Sequence, residues 1–258
     1  MNYPKKSLGQ HWLHDEATLN YICDAAQLKA GETVLEIGPG TGTLTEKLLA
    51  RGVQVVAVEK DEALAADLSV KGRTFHGLEV RVGDILEFDL AQLSAGYKVV
   101  ANIPYYLTSN LLRFLSESTN PPSLMVLLVQ KEVAQRIAAK PGQMSVLSVS
   151  VQLYYKPQLG QVVLAKLFIP PPKVDSQVVI LHRLATRIIP VASEVDKFMK
   201  VVKAGFSERR KKLRSSLAGG LIISKDRAEE LLKQAGINPS ARAQELSLNQ
   251  WYKLSELV

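Results

Sequence analysis

The sequence predicts an open α/β sheet of mainly parallel strands, followed by a small all-helical domain at the C-terminus. Three observations carry the prediction. Four successive strand patterns terminate in Gly38, Glu59, Asp84 and Asn102, which in a parallel sheet all fall along one edge. The first run leads directly into Gly38-Pro39-Gly40-Thr41-Gly42-Thr43 and then into a helical pattern, a Rossmann-type β–α turn. After Ile189-Pro190 strong strand patterns stop and helices separated by polar turns take over. The natural partition is an α/β domain over residues 1–186 and a helical domain over 187–258.

In chain order, residues 5–15 are polar, glycine-containing and aromatic, so they read as a loop or arm rather than a strand. Asp15 then caps a helix from Glu16 to Leu28, where Leu19, Ile22, Cys23 and Ala26 recur at helical spacing. Strands follow at Thr33–Ile37, Gln54–Val58, Glu79–Val82, Val99–Asn102 and Leu124–Val129, with helices at Leu44–Ala50, Ser109–Ser116 and Lys131–Ala139. Val146–Tyr154 reads as a helix because Leu147, Val151 and Tyr154 share a face. A hairpin over about Gln158–Ala165 and Gln177–Leu184 closes the sheet, and the helical domain contains Val195–Phe206, Glu208–Leu217, Lys225–Ala235 and Leu248–Leu257.

The bulk properties narrow the function classes. With 258 residues, 47% of them apolar and 22% charged, the chain is long enough to bury a sizeable core, and no apolar run suggests a membrane span. Basic residues near the start have no apolar stretch behind them, so a cytoplasmic location is expected, with no membrane partner. The lone Cys23 cannot form an internal disulfide, and no metal site is expected in the absence of a Cys or His cluster. The net charge of +7 is concentrated at one end: residues 1–186 carry 18 Lys and Arg against 17 Asp and Glu, residues 187–258 carry 14 against 8. Such asymmetry points to an anionic partner, and Arg209, Arg210, Lys211, Lys212 and Arg214 form the densest candidate for phosphate contacts.

The chemistry centres on Asn102-Ile103-Pro104-Tyr105. Pro104 fixes its own φ and biases Ile103 toward extended backbone, so the Asn102 side-chain carbonyl and the Ile103 carbonyl can face one point and hold an NH₂ group. Tyr105 offers a ring on which a nucleobase can stack; a plain proline turn after a core strand is the alternative. Glu59 lies about 20 positions past the first glycine, where an acidic residue accepts hydrogen bonds from ribose hydroxyls. The Gly-x-Gly-x-Gly spacing favours an adenosyl ligand without phosphates over a dinucleotide, with S-adenosyl-L-methionine as the first candidate. Phe168 precedes Pro170-Pro171-Pro172, a stiff segment that either holds the ring in place or serves as a rigid connector.

Taken together, the sequence resembles the KsgA-type ribosomal RNA adenine dimethyltransferases of the small subunit. The resemblance rests on Lys6-Ser7-Leu8-Gly9-Gln10 with Leu13, on Leu35 to Gly42, on Glu59, Gly83-Asp84 and Asn102-Ile103-Pro104-Tyr105, and on Phe168 to Ser176. It implies a class I methyltransferase fold whose seven-stranded sheet has its last strand antiparallel, followed by a helical domain. It also implies that His11 and Leu13 close over the cofactor, Gly38 and Gly40 cradle it, Glu59 binds its ribose, Asp84 reads its adenine, and Asn102 faces both cofactor and substrate. Tyr105 and Phe168 are expected to sandwich the target base. The family commonly has Asn-Phe where this chain has His11-Trp12, and many bacterial members carry Asn where it has Tyr106. The expected partners are small-subunit ribosomal RNA and the immature small ribosomal subunit, with the protein acting as a monomer. Three other readings are an Erm-type large-subunit RNA methyltransferase, a largely non-catalytic assembly factor, and a nicotinamide-dependent dehydrogenase. The last is disfavoured by the glycine spacing.

Overall fold

The computed structural model describes residues 4–5, 8–186, 188–189, 192–208 and 210–258. Lys6 and Ser7 of the resemblance, the expected boundary position 187 and Arg209 of the basic run lie outside the described residues. The elements are β1 (Trp12–Leu13), α1 (Glu16–Ala25), β2 (Thr33–Ile37), α2 (Thr43–Leu49), β3 (Gln54–Glu59), α3 (Glu62–Gly72), β4 (Leu78–Val82), β5 (Lys98–Asn102), α4 (Thr108–Glu117), β6 (Leu124–Gln130) and α5 (Lys131–Ile137). They continue as α6 (Val146–Gln152), β7 (Tyr155–Val163), β8 (Phe168–Ile169), β9 (Ser176–Arg183), α7 (Ala192–Gly205), α8 (Leu213–Leu221), α9 (Lys225–Gln234) and α10 (Leu248–Leu257).

Seven strands form one sheet in the order β4-β3-β2-β5-β6-β9-β7. Strands β2 to β6 pair in parallel, and β9 is inserted antiparallel to β6, from Leu124↔His182 to Gln130↔Ser176. The strand order reverses between β2 and β5, and a ligand crevice is expected outside the carboxyl ends of those two strands. Central position explains the composition of β6, whose residues Leu124 to Val129 are all buried. Leu19, Ile22 and Cys23 of α1 join Val34, Val55, Val100 and Val126 of the sheet in one core. Burial pushes the Cys23 thiol up to about 11, so it packs as a small hydrophobe.

Four sequence expectations are corrected. The arm before α1 contains a strand after all: β1 pairs antiparallel with β8, with Trp12 opposite Ile169 and Leu13 opposite Phe168. A two-residue strand whose partner is more than 150 positions away leaves no local pattern to read. Asp15 does cap α1, accepting from the Thr18 N–H at 2.9 Å, but the helix ends at Ala25 because Gln27 turns to φ 48°. Helix α3 was not expected; Asp61 caps it at the Ala63 N–H (3.2 Å), and only Leu64, Ala65 and Leu68 are buried on it. Helix α8 begins at Leu213 rather than Glu208.

The chain also divides differently from the expected partition. Two compact units are found, one of residues Met1–Ala134 and Lys156–Arg183, the other of Gln135–Tyr155 and Leu184–Val258. The second unit takes in α6 because Met144, Val149 and Leu153 share a core with Phe198, Leu217 and Trp251. The Gly142 and Met144 N–H groups both donate to the Gln244 carbonyl, at 2.8 and 3.1 Å. Helix α7 carries Phe198, Val201 and Val202 into this core. Among the described residues no helix is long and apolar enough to cross a membrane.

Candidate active site

The carboxyl ends of β2, β3 and β5, the turn after β4 and the N-terminal arm converge on one pocket. It is lined by Gly38 and Gly40, Glu59, Asp84, Asn102 to Tyr106 and His11, so strands far apart in sequence deliver their terminal residues to one place. The glycine turn is tied to the sheet by the Gly38 N–H, which donates to the Val58 carbonyl at 2.9 Å. Gly38 has φ +64°, and a Cβ there would meet only Pro104 Cδ at 3.9 Å. At Gly40, with φ +59°, a Cβ would lie 3.1 Å from Trp12 Nε1. Both positions require glycine, and the backbone is left bare toward the pocket.

Among the described residues Glu59 is fixed by backbone donors alone. The Gly40 N–H reaches Oε2 at 3.0 Å and the Asp61 N–H reaches Oε1 at 2.9 Å. Burial pushes its carboxyl above the ordinary range, against the pull of these donors, and no cation pairs with it among the described residues. Each oxygen keeps a further lone pair for a ligand hydroxyl. Asp84 differs: Lys60 Nζ donates to Oδ2 at 2.8 Å and the Leu86 N–H to Oδ1 at 3.0 Å, which together hold its carboxyl below the usual range. Sequence reasoning missed Lys60, although its place directly after a strand-ending Glu59 was the available signal. The arm is pinned nearby, with Lys5 Nζ 2.9 Å from Asp61 Oδ2.

Asn102 donates Nδ2–H to the His11 carbonyl at 2.9 Å. A carbonyl can only accept, so this bond assigns the amide, and Asn102 Oδ1 remains an acceptor. Ile103 is buried and its N–H donates to the Leu128 carbonyl at 3.2 Å, which anchors the turn to β6. Pro104 has φ −55° and its carbonyl accepts from the Leu107 N–H at 3.0 Å. Tyr105 shares a hydrogen bond with Ser176 Oγ at 2.9 Å, and its ring lies parallel to that of His11, centroids 5.8 Å apart at 24°. His11 Nδ1–H donates to the Pro170 carbonyl at 2.7 Å, so the proline segment steadies the arm.

Not every expected residue comes to the pocket. Phe168 is 1% exposed and belongs to the sheet core, and the ring beside Tyr105 is that of His11. The reason is β1–β8 pairing, which turns Phe168 inward opposite Leu13. Leu13 is likewise a core residue, 3% exposed, rather than a wall of the pocket. Tyr106, by contrast, lines the pocket and is largely exposed. A smaller cavity behind the glycine turn is bordered by Trp12, Glu36 and Asn102. Glu36 is fully buried there; burial first, and the charge of Glu59 second, push its carboxyl up to about 8.

The basic run lies in the second unit. Arg210, Lys211 and Lys212 are exposed in the turn before α8, but Lys211 pairs with Glu208 and Arg214 with Glu229. Lys212 Nζ reaches Ser240 Oγ at 3.4 Å. The local carboxylates therefore neutralise part of the charge that the sequence places here.

The sequence profile of ribosomal RNA adenine dimethylases matches residues 1–258. A protein of Dehalococcoides mccartyi named ribosomal RNA small subunit methyltransferase A is 46% identical over 253 residues, covering 97% of this chain and 87% of that protein. One of the same name from Rippkaea orientalis is 44% identical, covering 100% and 98%. Among solved structures, a dimethyladenosine transferase from Plasmodium falciparum is similar with TM-score 0.79 and 27% identity, covering 95% of this chain and 96% of that one. The 23S rRNA methyltransferase ErmE is similar with TM-score 0.76 and 28% identity, covering 95% and 98%. The fold is that of class I methyltransferases. With a pocket at the sheet's reversal point and a match along its whole length, the chain belongs to the ribosomal RNA adenine dimethylase family.

Proposed function

We propose that the chain transfers methyl groups from S-adenosyl-L-methionine to the exocyclic amino groups of two adjacent adenosines near the 3′ end of small-subunit (16S) ribosomal RNA, giving dimethyladenosine during ribosome biogenesis in the cytoplasm. The observation that carries this reading is the orientation of Asn102, whose Nδ2–H is engaged by His11 while Oδ1 stays available as an acceptor. The names borne by relatives at 44 and 46% identity support the small subunit as the source of the RNA.

The pocket fits the cofactor on its own chemistry: a bare glycine cradle at Gly38 and Gly40, and a Glu59 carboxylate whose partners among the described residues are backbone donors. When bound, S-adenosyl-L-methionine supplies a methyl group made electrophilic by a sulfonium. Gly38 and Gly40 take its methionine side, Glu59 accepts from the ribose hydroxyls, and Asp84 faces the adenine; His11 borders the same space. Asn102 Oδ1 and the Ile103 carbonyl accept the hydrogens of the target amine, which draws its lone pair out of conjugation and stabilises the positive charge that develops on nitrogen. Holding the amine in line with the methyl group supplies the rest of the acceleration. The ammonium so formed is acidic enough to lose its proton to water. Tyr105 supplies a stacking surface for a base that has left its helix.

The likeness to ErmE keeps one competing substrate in view, large-subunit RNA. Incubation with labelled methyl donor and either immature small subunits or large-subunit RNA separates the two. Label confined to two adjacent adenosines near the 3′ end of the small-subunit RNA is the expected result. Label in large-subunit RNA alone assigns the Erm-type activity, and no transfer to either leaves an assembly factor.

A further inference from the structure

We infer that one face of α7, together with the last turn of α8, is a groove for RNA backbone phosphates, separate from the basic run before α8. The inference rests on the RNA reading above and names the surface that grips that RNA. Lys197, Lys200 and Lys203 recur at three-residue steps along α7, and all three are exposed. None of them pairs with a carboxylate among the described residues. The neighbouring run is partly neutralised: Lys211 is held by Glu208 and Arg214 shares Glu229 with Lys233, while Arg210 and Lys212 have no carboxylate partner among the described residues.

The lysines also have a concave surface to serve. Lys200 and Lys203 line an open concavity with Asp196, Met199, Ala204, Ser207 and Gly220. Gly220 shapes it: a Cβ there would fall 2.6 Å from Ala204 Cα and Cβ and 3.0 Å from the Ala204 carbonyl. The α8 backbone therefore rests directly on α7 where the two helices border the concavity. Asp196 is the one acidic residue among those bordering it, against two lysines. An open, unpaired lysine surface suits a mobile polyanion, because long flexible ammonium side chains contact phosphates as point charges and release counterions when they do so.

The test is the salt dependence of binding of the full chain to a small-subunit ribosomal RNA transcript. Each phosphate contact contributes about 0.7–0.9 to the slope of log affinity against log salt, so Lys200→Ala with Lys203→Ala should flatten it by about 1.4–1.8. Lys200→Arg with Lys203→Arg keeps the charges and should keep the slope. Cofactor affinity, measured by calorimetry on the same preparations, should not change in either variant, because both residues lie outside the pocket. An unmodified chain that binds the transcript, with a slope that the alanine pair leaves unchanged, overturns the groove and leaves the proposed function standing. An unmodified chain with no salt-dependent RNA binding overturns both.

Discussion

The sheet edge and the helical unit hold their polar residues by different means. At the sheet edge the side chains sit at or just past strand ends, each with a fixed partner: Glu59 two N–H donors, Asn102 a carbonyl, and Asp84 the Leu86 N–H together with Lys60. In the helical unit the charges sit on helix surfaces and turns, where side chains choose among neighbours, as Arg214 and Lys233 share Glu229. Position in sequence thus determines chemistry at the sheet edge. In the helical unit it determines only composition, and packing decides which charges remain free.

The largest effect that sharpens this contrast is expected at Phe168. As a core residue it should cost about 3–5 kcal/mol of unfolding free energy when cut to alanine, whereas Phe168→Leu should keep most of the stability and near-normal methyl transfer. Denaturant unfolding with single-turnover transfer on both variants checks it. A stable Phe168→Ala protein that had lost transfer would return this ring to the target base.

Glu36 tests whether burial at the sheet edge governs titration. Its carboxyl is raised from an ordinary 4.5 to about 8, so between those values the unfolded chain has released a proton that the folded chain keeps. Stability from this residue is accordingly present below about 4.5 and is lost as pH rises toward about 8, at up to about 1.4 kcal/mol per pH unit. Glu36→Gln should remove that slope. Unfolding curves of both proteins from pH 5 to 8 that ran parallel would show that Glu36 ionises normally.

A smaller effect is expected at Glu59. Losing charge-assisted hydrogen bonds to a ribose costs about 1.5–3 kcal/mol, so Glu59→Ala should weaken S-adenosyl-L-methionine binding at least about tenfold. Calorimetry showing equal affinity would remove Glu59 from the site.

The same contrast explains how much was legible in the sequence. Gly38, Glu59, Asp84 and Asn102 could be placed together because each ends or directly follows a strand pattern, and a parallel sheet brings such ends to one edge. The antiparallel β9 beside β6 followed from the resemblance rather than from any pattern. What escaped was pairing between distant segments. Nothing near Trp12 announces Ile169 as its partner, so the inward turn of Phe168 and the His11–Tyr105 stack could not be read. Helix α3 escaped because its buried residues are few, and residues 135–155 fall in the second unit because their apolar face packs on residues from beyond 184.

Asn102 offers the most direct test that the sheet-edge pocket carries the chemistry, since its amide oxygen is the acceptor we propose for the target amine. Single-turnover methylation of immature small subunits by Asn102→Ala, alongside a cofactor titration, isolates that step. Transfer should fall by about 100-fold or more, while cofactor affinity changes far less. Transfer within a few-fold of the unmodified rate would contradict the central role given to this pocket.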